Sequence, residues 1–153
     1  MTTPTSPALA QGGSWTQTGP LTFNHVLTTD SVYEKISEVP ALTIPYAGVW
    51  EIAYNAHTNF ALIASGGLLL IHTALYNNAG IMPGSEAVTG IQSAAGFGFQ
   101  ATAGQTFLYA FAAPDKVMLY GYRNGATATA GAAISSGDDG RTGIMAHWVS
   151  PGF

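Results

Sequence analysis

Cysteine is absent from the 153 residues, and charged residues make up only 8% of them. Without cysteine the chain has no disulfides, no thiolate catalysis and no cysteine-based zinc site. The basic residues are only four in number: Lys35, Lys116, Arg123 and Arg141. Binding to phosphates or to an anionic membrane surface needs clustered lysine and arginine. We therefore expect neither nucleic acid nor a membrane among the partners.

Charged residues are also absent from one long stretch of the chain. No acidic or basic residue occurs between Glu51 and Glu86, and residues 60–76 approach the length of a membrane-spanning helix. Gly66 and Gly67 interrupt that segment, and its flanks lack lysine and arginine. The N-terminus has neither a basic region nor an early apolar run, so no secretory signal is visible. The sequence predicts no membrane span.

What the chain does contain is apolar and small residues. Hydrophobic residues make up 47% of the chain, and the net charge is only −4. This length corresponds to one domain, with enough chain to bury a core. Its surface must then consist largely of uncharged residues, whereas a monomer usually stays soluble through charge. We expect partners to cover part of this surface; a polar, uncharged monomer is the alternative.

Residues 1–20 differ in composition from the rest, with three prolines, three glycines and many threonines and serines. Such a segment is an extended arm when it stands alone. Apart from Met1, its large apolar side chains are Leu9 and Trp15. Because a few buried apolar anchors dominate an interface, Leu9 and Trp15 are the predicted partner-binding residues. The predicted organisation is an N-terminal arm at 1–20 and one domain at 21–153.

From residue 21 onward, apolar residues alternate with a period of two between closely spaced turn signals. Trp50, Ile52 and Tyr54 share one face of a predicted strand. Met118, Tyr120 and Tyr122 are also predicted to lie on one strand face. Gly-containing turns separate the segments, and no helical pattern occurs. The predicted fold is an all-β, antiparallel jelly-roll β-sandwich with an extended N-terminal arm.

Five segments, in this order, carry a resemblance to a known family: ALTIPYAGVWEIAY (41–54), ALYNNAGIMPGSE (74–86), ATAGQTFL (101–108), VMLYGY (117–122) and GIMAHWV (143–149). They resemble the globular head of complement and its tumour-necrosis-factor-like relatives. Gln105 stands where that family more often has Asp. The Ala-, Gly- and Thr-rich texture is similar to such modules in bacteriophage virion proteins, namely decoration proteins, head fibres and tail-fibre tips.

The resemblance implies a jelly roll that assembles as a homotrimer and binds rather than catalyses. On this basis we expect Tyr120, Tyr122 and His147 to lie near the three-fold axis. Tyrosine and tryptophan are also enriched at interfaces in general. For Trp50 and Phe107 the preferred interpretation is ordinary core packing.

No constellation of residues predicts chemistry. The histidines 25, 57, 72 and 147 are not spaced as metal ligands, and no Gly-x-Ser-x-Gly occurs. We expect no catalytic residues and no cofactor. Asp138 and Asp139 are adjacent carboxylates, which a calcium ion could use, but a turn supported by Asp is the preferred interpretation.

The functional prediction is a trimeric capsid decoration protein. It would lie on the virion surface and dock on the major capsid protein or another virion protein. A receptor- or glycan-binding tip of a tail fibre or baseplate is the alternative. A cellular jelly-roll binding module is a third possibility, and an enzyme is a distant fourth.

Overall fold

The computed structural model describes residues 14–62, 66–125, 131–137 and 139–152. Within these ranges the chain forms twelve β-strands and no helix. The strands are β1 (Trp15–Gln17), β2 (Phe23–Val26), β3 (Glu34–Lys35), β4 (Leu42–Ile44), β5 (Gly48–Leu62), β6 (Gly67–Asn77), β7 (Gly80–Ile81), β8 (Ala87–Ser93), β9 (Phe97–Phe111), β10 (Asp115–Gly125), β11 (Gly131–Ser136) and β12 (Gly143–Ser150).

The first sheet, sheet A, is built around the long strand β5. Strand β9 pairs with β5 along one side over its whole length. Strands β12 and β11 pair with successive halves of the other side, and β1 and β2 lie beyond them. All of these pairs are antiparallel.

The second sheet, sheet B, is built around β10 and β6, which pair antiparallel. Strands β3 and β4 lie along β10, while β7 and β8 lie along β6. Two antiparallel sheets packed face to face confirm the predicted jelly-roll sandwich. The part of the chain described here includes no helix long and apolar enough to cross a membrane.

The core lies between the two sheets and follows the alternation in the sequence. Trp50, Ile52 and Tyr54 of β5 are buried, as are Leu69 and Ile71 of β6. From the later strands, buried side chains include Val117, Leu119, Ile134, Ile144, Ala146 and Trp148. Trp50 is core, as expected, and Phe107 packs against the core while partly buried. Because alternate residues point inward, their neighbours form the two outer faces of the sandwich.

The N-terminal part of the described chain belongs to sheet A. Trp15–Gln17 is the edge strand β1 and pairs with β12, with Trp15 opposite His147. Further backbone hydrogen bonds run from Trp148 N–H to Ser14 O (2.8 Å) and from Thr18 N–H to Ile144 O (3.0 Å). The predicted arm therefore includes a strand of the sandwich at its C-terminal end. The predicted anchor Leu9 lies outside the described residues.

One polar clamp joins the sheets at their edge. His25 on β2 of sheet A lies between two carboxylates, with Nε2 2.9 Å from Glu34 Oε1 and Nδ1 2.7 Å from Glu38 Oε2. Glu34 is on β3 of sheet B. It also accepts hydrogen bonds from the backbone N–H groups of Thr29 (2.9 Å) and Thr28 (3.1 Å). The segment between β2 and β3 is therefore held against both sheets.

Candidate functional site

The outward face of sheet A presents two cross-strand rows of side chains. The strand register aligns Trp15, His147, Glu51 and Leu108 in one row across β1, β12, β5 and β9. The adjacent row is Gln17, Met145, Ala53 and Thr106. We call these eight residues the outer A face. Directly opposed residues on neighbouring strands contact one another, so each row forms continuous surface.

The outer A face exposes large apolar side chains. Leu108 is 63% exposed, Trp15 60% and Met145 39%. Among its eight residues Glu51 is the one carboxylate, and none is lysine or arginine. Trp15 and Leu108 lie at the two ends of their row, with His147 and Glu51 between them, so the face is mixed. Single exposed apolar side chains are ordinary, but several on one sheet face with a single carboxylate are typical of an interaction site. This face is the first candidate site.

A shallow groove of about 360 Å³ borders the outer A face. The next cross-strand row of sheet A consists of Gly143, Asn55 and Gly104. In this row the Asn55 side chain lies between two glycines. Gln17, Met145 and Asp139 also line the groove. The lining mixes polar, apolar and small residues, and Gln17, Asn55 and Asp139 add hydrogen-bonding groups at the edge of the face.

The predicted alternative of a cation at Asp138 and Asp139 has limited structural support. Asp138 lies outside the described residues. The Asp139 carboxylate accepts a hydrogen bond from Arg141 Nε, so a guanidinium already neutralises it. Arg141 Nη1 also lies 3.5 Å from His57 Nε2. Within the ranges given above, no group of three or more His, Cys, Asp or Glu side chains is placed to hold a metal.

The structure divides the predicted trimer-interface residues between two faces. His147 lies on the outer A face, because its β12 neighbours Ala146 and Trp148 point into the core. Tyr120 and Tyr122 point outward from β10, on the opposite side of the sandwich. The two sets therefore lie on opposite faces of the chain. The sequence could not reveal this, because alternation assigns residues to a strand face but not to a side of the sandwich.

On the outward face of sheet B, five rings form what we call the aromatic cluster: Tyr33, His72, Tyr76, Tyr120 and Tyr122. Tyr76 stacks on Tyr120 with a centroid distance of 4.1 Å, and His72 stacks on Tyr122 at 4.4 Å. Tyr33 packs edge-on against Tyr122 at 4.6 Å and against Tyr76 at 5.6 Å. Each of the five is partly exposed. The cluster is a continuous aromatic surface and the second candidate site.

Glu86 supplies a carboxylate at the border of the aromatic cluster. Its Oε1 accepts a hydrogen bond from the Tyr33 hydroxyl at 2.9 Å, and His72 Nδ1 lies 3.5 Å from the same oxygen. The Glu86 side chain remains 53% exposed. Burial, together with the hydrogen bond to Glu86 and its charge, raises the pKa of Tyr33 well above the ordinary value for tyrosine. Tyr33 is therefore a fixed hydrogen-bond donor at neutral pH, and it orients the carboxylate.

Sequence reasoning did not single out Tyr33, His72, Tyr76 or Glu86. Tyr33 lies between β2 and β3, and Glu86 lies between β7 and β8, so neither belongs to an alternating strand pattern. Tyr33 and Glu86 come together because the β2–β3 and β7–β8 loops both fold over sheet B. His72 lies on the outer surface against Tyr122. The sequence indicated this site only through Tyr120 and Tyr122, which it placed together on one face of a strand.

Comparison with known proteins identifies the fold. The solved structure of Eiger TNF from S. frugiperda matches with a TM-score of 0.51 over 93% of this chain and 91% of that chain. The sequence identity is 9%, so the match shows the fold and nothing more. No protein-family model matches the sequence, and no curated protein matches it either. The chain has a TNF-like jelly-roll fold.

Proposed function

We propose that this TNF-like jelly roll is a non-enzymatic structural protein of a virion surface, namely a capsid decoration protein that acts as a homotrimer. The observation that carries the proposal is the outer A face. Its neighbouring rows combine exposed Trp15, Leu108 and Met145 with a single carboxylate. A surface of this kind gains free energy when a partner covers it, because apolar area is then removed from water.

We assign the outer A face, apart from Trp15 at its edge, to contacts between copies of the chain. A sheet face with few charges opposes the approach of another copy only weakly, since there is little like-charge repulsion. In a trimer this face contacts a different patch of the next copy, and the ring closes when the rotation between copies is a third of a turn. The trimeric state follows from the sequence resemblance described above. On this proposal His147 lies in the interface, and Tyr120 and Tyr122 lie outside it, on sheet B.

We assign docking on the virion to the N-terminal segment that leads into β1. Strand β1 is at the edge of sheet A, and its Trp15 indole is 60% exposed. Residues 1–13 precede this edge and carry the predicted anchor Leu9. A segment entering at an exposed edge can reach a neighbouring subunit without disturbing the core. The major capsid protein is the proposed partner, or else another virion protein.

A receptor- or glycan-binding tip of a tail fibre or baseplate is the second candidate. The aromatic cluster favours it, since this surface points away from the outer A face. In a fibre tip the N-terminal segment would continue into a shaft rather than lie on capsid subunits. A structure of the assembled particle distinguishes the two by the path of residues 1–13.

Occupancy on particles prepared without this protein tests the docking proposal. We expect a chain lacking residues 1–13 to fold, because β1 is retained, but to bind the particles more weakly. Trp15→Ala should weaken binding by at least about 30-fold, as expected for an interface hot spot. Val32→Ala is the matched control, because Val32 is 61% exposed and lies away from β1. Equal occupancy for wild type, truncation and Trp15→Ala would refute the docking role of the N-terminal segment.

A further inference from the structure

The aromatic cluster is more extensive than strand pairing requires. Strands β6 and β10, which carry four of its rings, are already joined by an eight-residue antiparallel register from Met118↔Tyr76 to Gly125↔Leu69. Outward-facing Ala74 between them is fully buried, so the surrounding side chains cover it. Tyr33 fastens the segment before β3 onto this face. The stacked pairs Tyr76–Tyr120 and His72–Tyr122 add ring surface that no strand or segment covers completely.

The spacing of the rings determines the shape of a ligand. An aromatic cage for an ammonium group needs rings set apart around the cation. Here the centroids of neighbouring rings are 4.1 to 5.6 Å apart, so the rings contact one another and leave no space between them. What remains available is their outward surface. The cluster therefore suits a ligand that lies on the rings with a flat apolar side.

The charges at the border determine the polarity of a ligand. Glu86 offers a half-exposed carboxylate that Tyr33 holds in place, and its free lone pairs can accept hydrogen bonds from hydroxyl groups. Lys35 is directly opposite Tyr120 on β3 and supplies an exposed donor on the other side of the cluster. One negative and one positive group flanking a neutral aromatic surface favour a ligand without net charge.

We infer that the aromatic cluster, with Glu86 and Lys35, is a binding site for a neutral carbohydrate. The C–H side of a pyranose ring packs on Tyr120 and Tyr122, and its hydroxyl groups donate to Glu86 and accept from Lys35. A shallow site of this type binds weakly, with a Kd of about 1 mM for a short oligosaccharide. The inference rests on the second candidate function, a glycan-binding tip, and deepens it by naming the class of sugar and the residues that bind it.

Titration with cellohexaose, maltoheptaose and chitotetraose, followed by the NMR signals of the tyrosine rings, tests this inference. We expect at least one of them to shift the cluster signals. Tyr120→Ala should weaken that binding at least about 10-fold, and Glu86→Gln should weaken it by a similar factor. Tyr120→Phe keeps the ring and should bind within about 3-fold of wild type, which separates stacking from any loss of folding. Val26→Ala is the control, because Val26 on β2 is exposed and belongs to neither the cluster nor the outer A face, and it should leave sugar binding unchanged.

Three results would overturn the inference. The first is no shift with any of the three sugars at about 10 mM, ten times the expected Kd. The second is sugar binding that survives both Tyr120→Ala and Glu86→Gln, since the sugar would then bind elsewhere. The third is loss of particle occupancy by Tyr120→Ala without sugar binding, which would assign the cluster to a protein contact. Failure of the assembly proposal has a different readout, because it is measured with variants of the outer A face.

Discussion

His25, Glu34 and Glu38 show how a few polar groups fix the edge of the sandwich. Both ring nitrogens of His25 lie at hydrogen-bond distance from carboxylates, and only the imidazolium form can donate through both. Burial opposes ionisation of Glu34, but hydrogen bonds from Thr29, His25 and the Thr28 backbone outweigh it and lower its pKa to about 2. Folding therefore favours the ionised form of Glu34, and this links the stability of the protein to pH.

Replacement of Glu34 by Gln should destabilise the protein in a pH-dependent way. Because the pKa of Glu34 is about 2 in the folded state against 4.5 for the free group, its contribution is complete above pH 4.5. That contribution is lost as the pH falls from about 4.5 towards 2. We expect Glu34→Gln to cost up to about 3 kcal/mol near pH 6 and progressively less in acid. Urea unfolding across this pH range measures the difference.

Glu51→Gln on the outer A face is the control for this prediction. It removes the same charge but leaves the clamp intact, so the acid-dependent loss of stability should persist as in wild type. A cost for Glu34→Gln that stays constant from pH 6 down to the acid limit of folding would contradict the assigned hydrogen bonds.

Individual core positions were predictable, whereas the clamp was not. Trp50 and Ile52 alternate with polar neighbours, and burial of every second residue is a local property of a strand. The contact between His25 and Glu34 joins the edge strands of two different sheets. No periodicity links positions on separate strands, because their approach depends on the path of the segment between them.

Strand β5 begins at a glycine whose surroundings are closely packed. Gly48 has a positive φ of 135°, and a Cβ atom there would lie 2.5 Å from Trp148 Nε1 and 2.6 Å from Ser150 O. Gly80, which begins β7, has a similar φ of 128°, but a Cβ atom would meet nothing within 4 Å. The two strand starts therefore share the same backbone requirement and differ in packing.

Alanine at these two positions should separate backbone strain from steric clash. Gly80→Ala places a side chain in an unfavourable φ region and should cost about 1 to 2 kcal/mol of unfolding free energy. Gly48→Ala adds a clash with a backbone carbonyl and a buried indole, so it should cost at least about 2 kcal/mol more. Urea unfolding of both variants measures this. Equal costs would show that the end of β12 moves away from Gly48 without penalty.

The strands themselves could be predicted from the sequence, but some of their pairings could not. Alternation in β5, β10 and β12 and the turn residues between strands were sufficient for the jelly-roll prediction. Strand β1 escaped this reasoning, because three polar or exposed residues in a Pro- and Gly-rich segment carry no alternation. It forms because the edge of β12 provides unpaired backbone groups, which is a property of the folded sheet.

The whole molecule presents two different outer surfaces. The outer A face carries three exposed large apolar side chains and a single carboxylate, and it includes the N-terminal strand β1. The opposite face carries the aromatic cluster and its flanking charges. A protein with assembly on one side and recognition on the other keeps its recognition surface free after it joins an oligomer.

The mass of the purified protein in solution, measured by light scattering at micromolar concentration, tests the assembly claim most directly. The account predicts about three times the 15.8 kDa chain mass. Leu108→Glu should convert the protein to a monomer, because it places charges in a closely packed apolar contact. Val88→Glu, at a 50% exposed position on sheet B, should leave the mass unchanged. A monodisperse wild-type mass of 15.8 kDa, or a trimer that survives Leu108→Glu, would contradict the account.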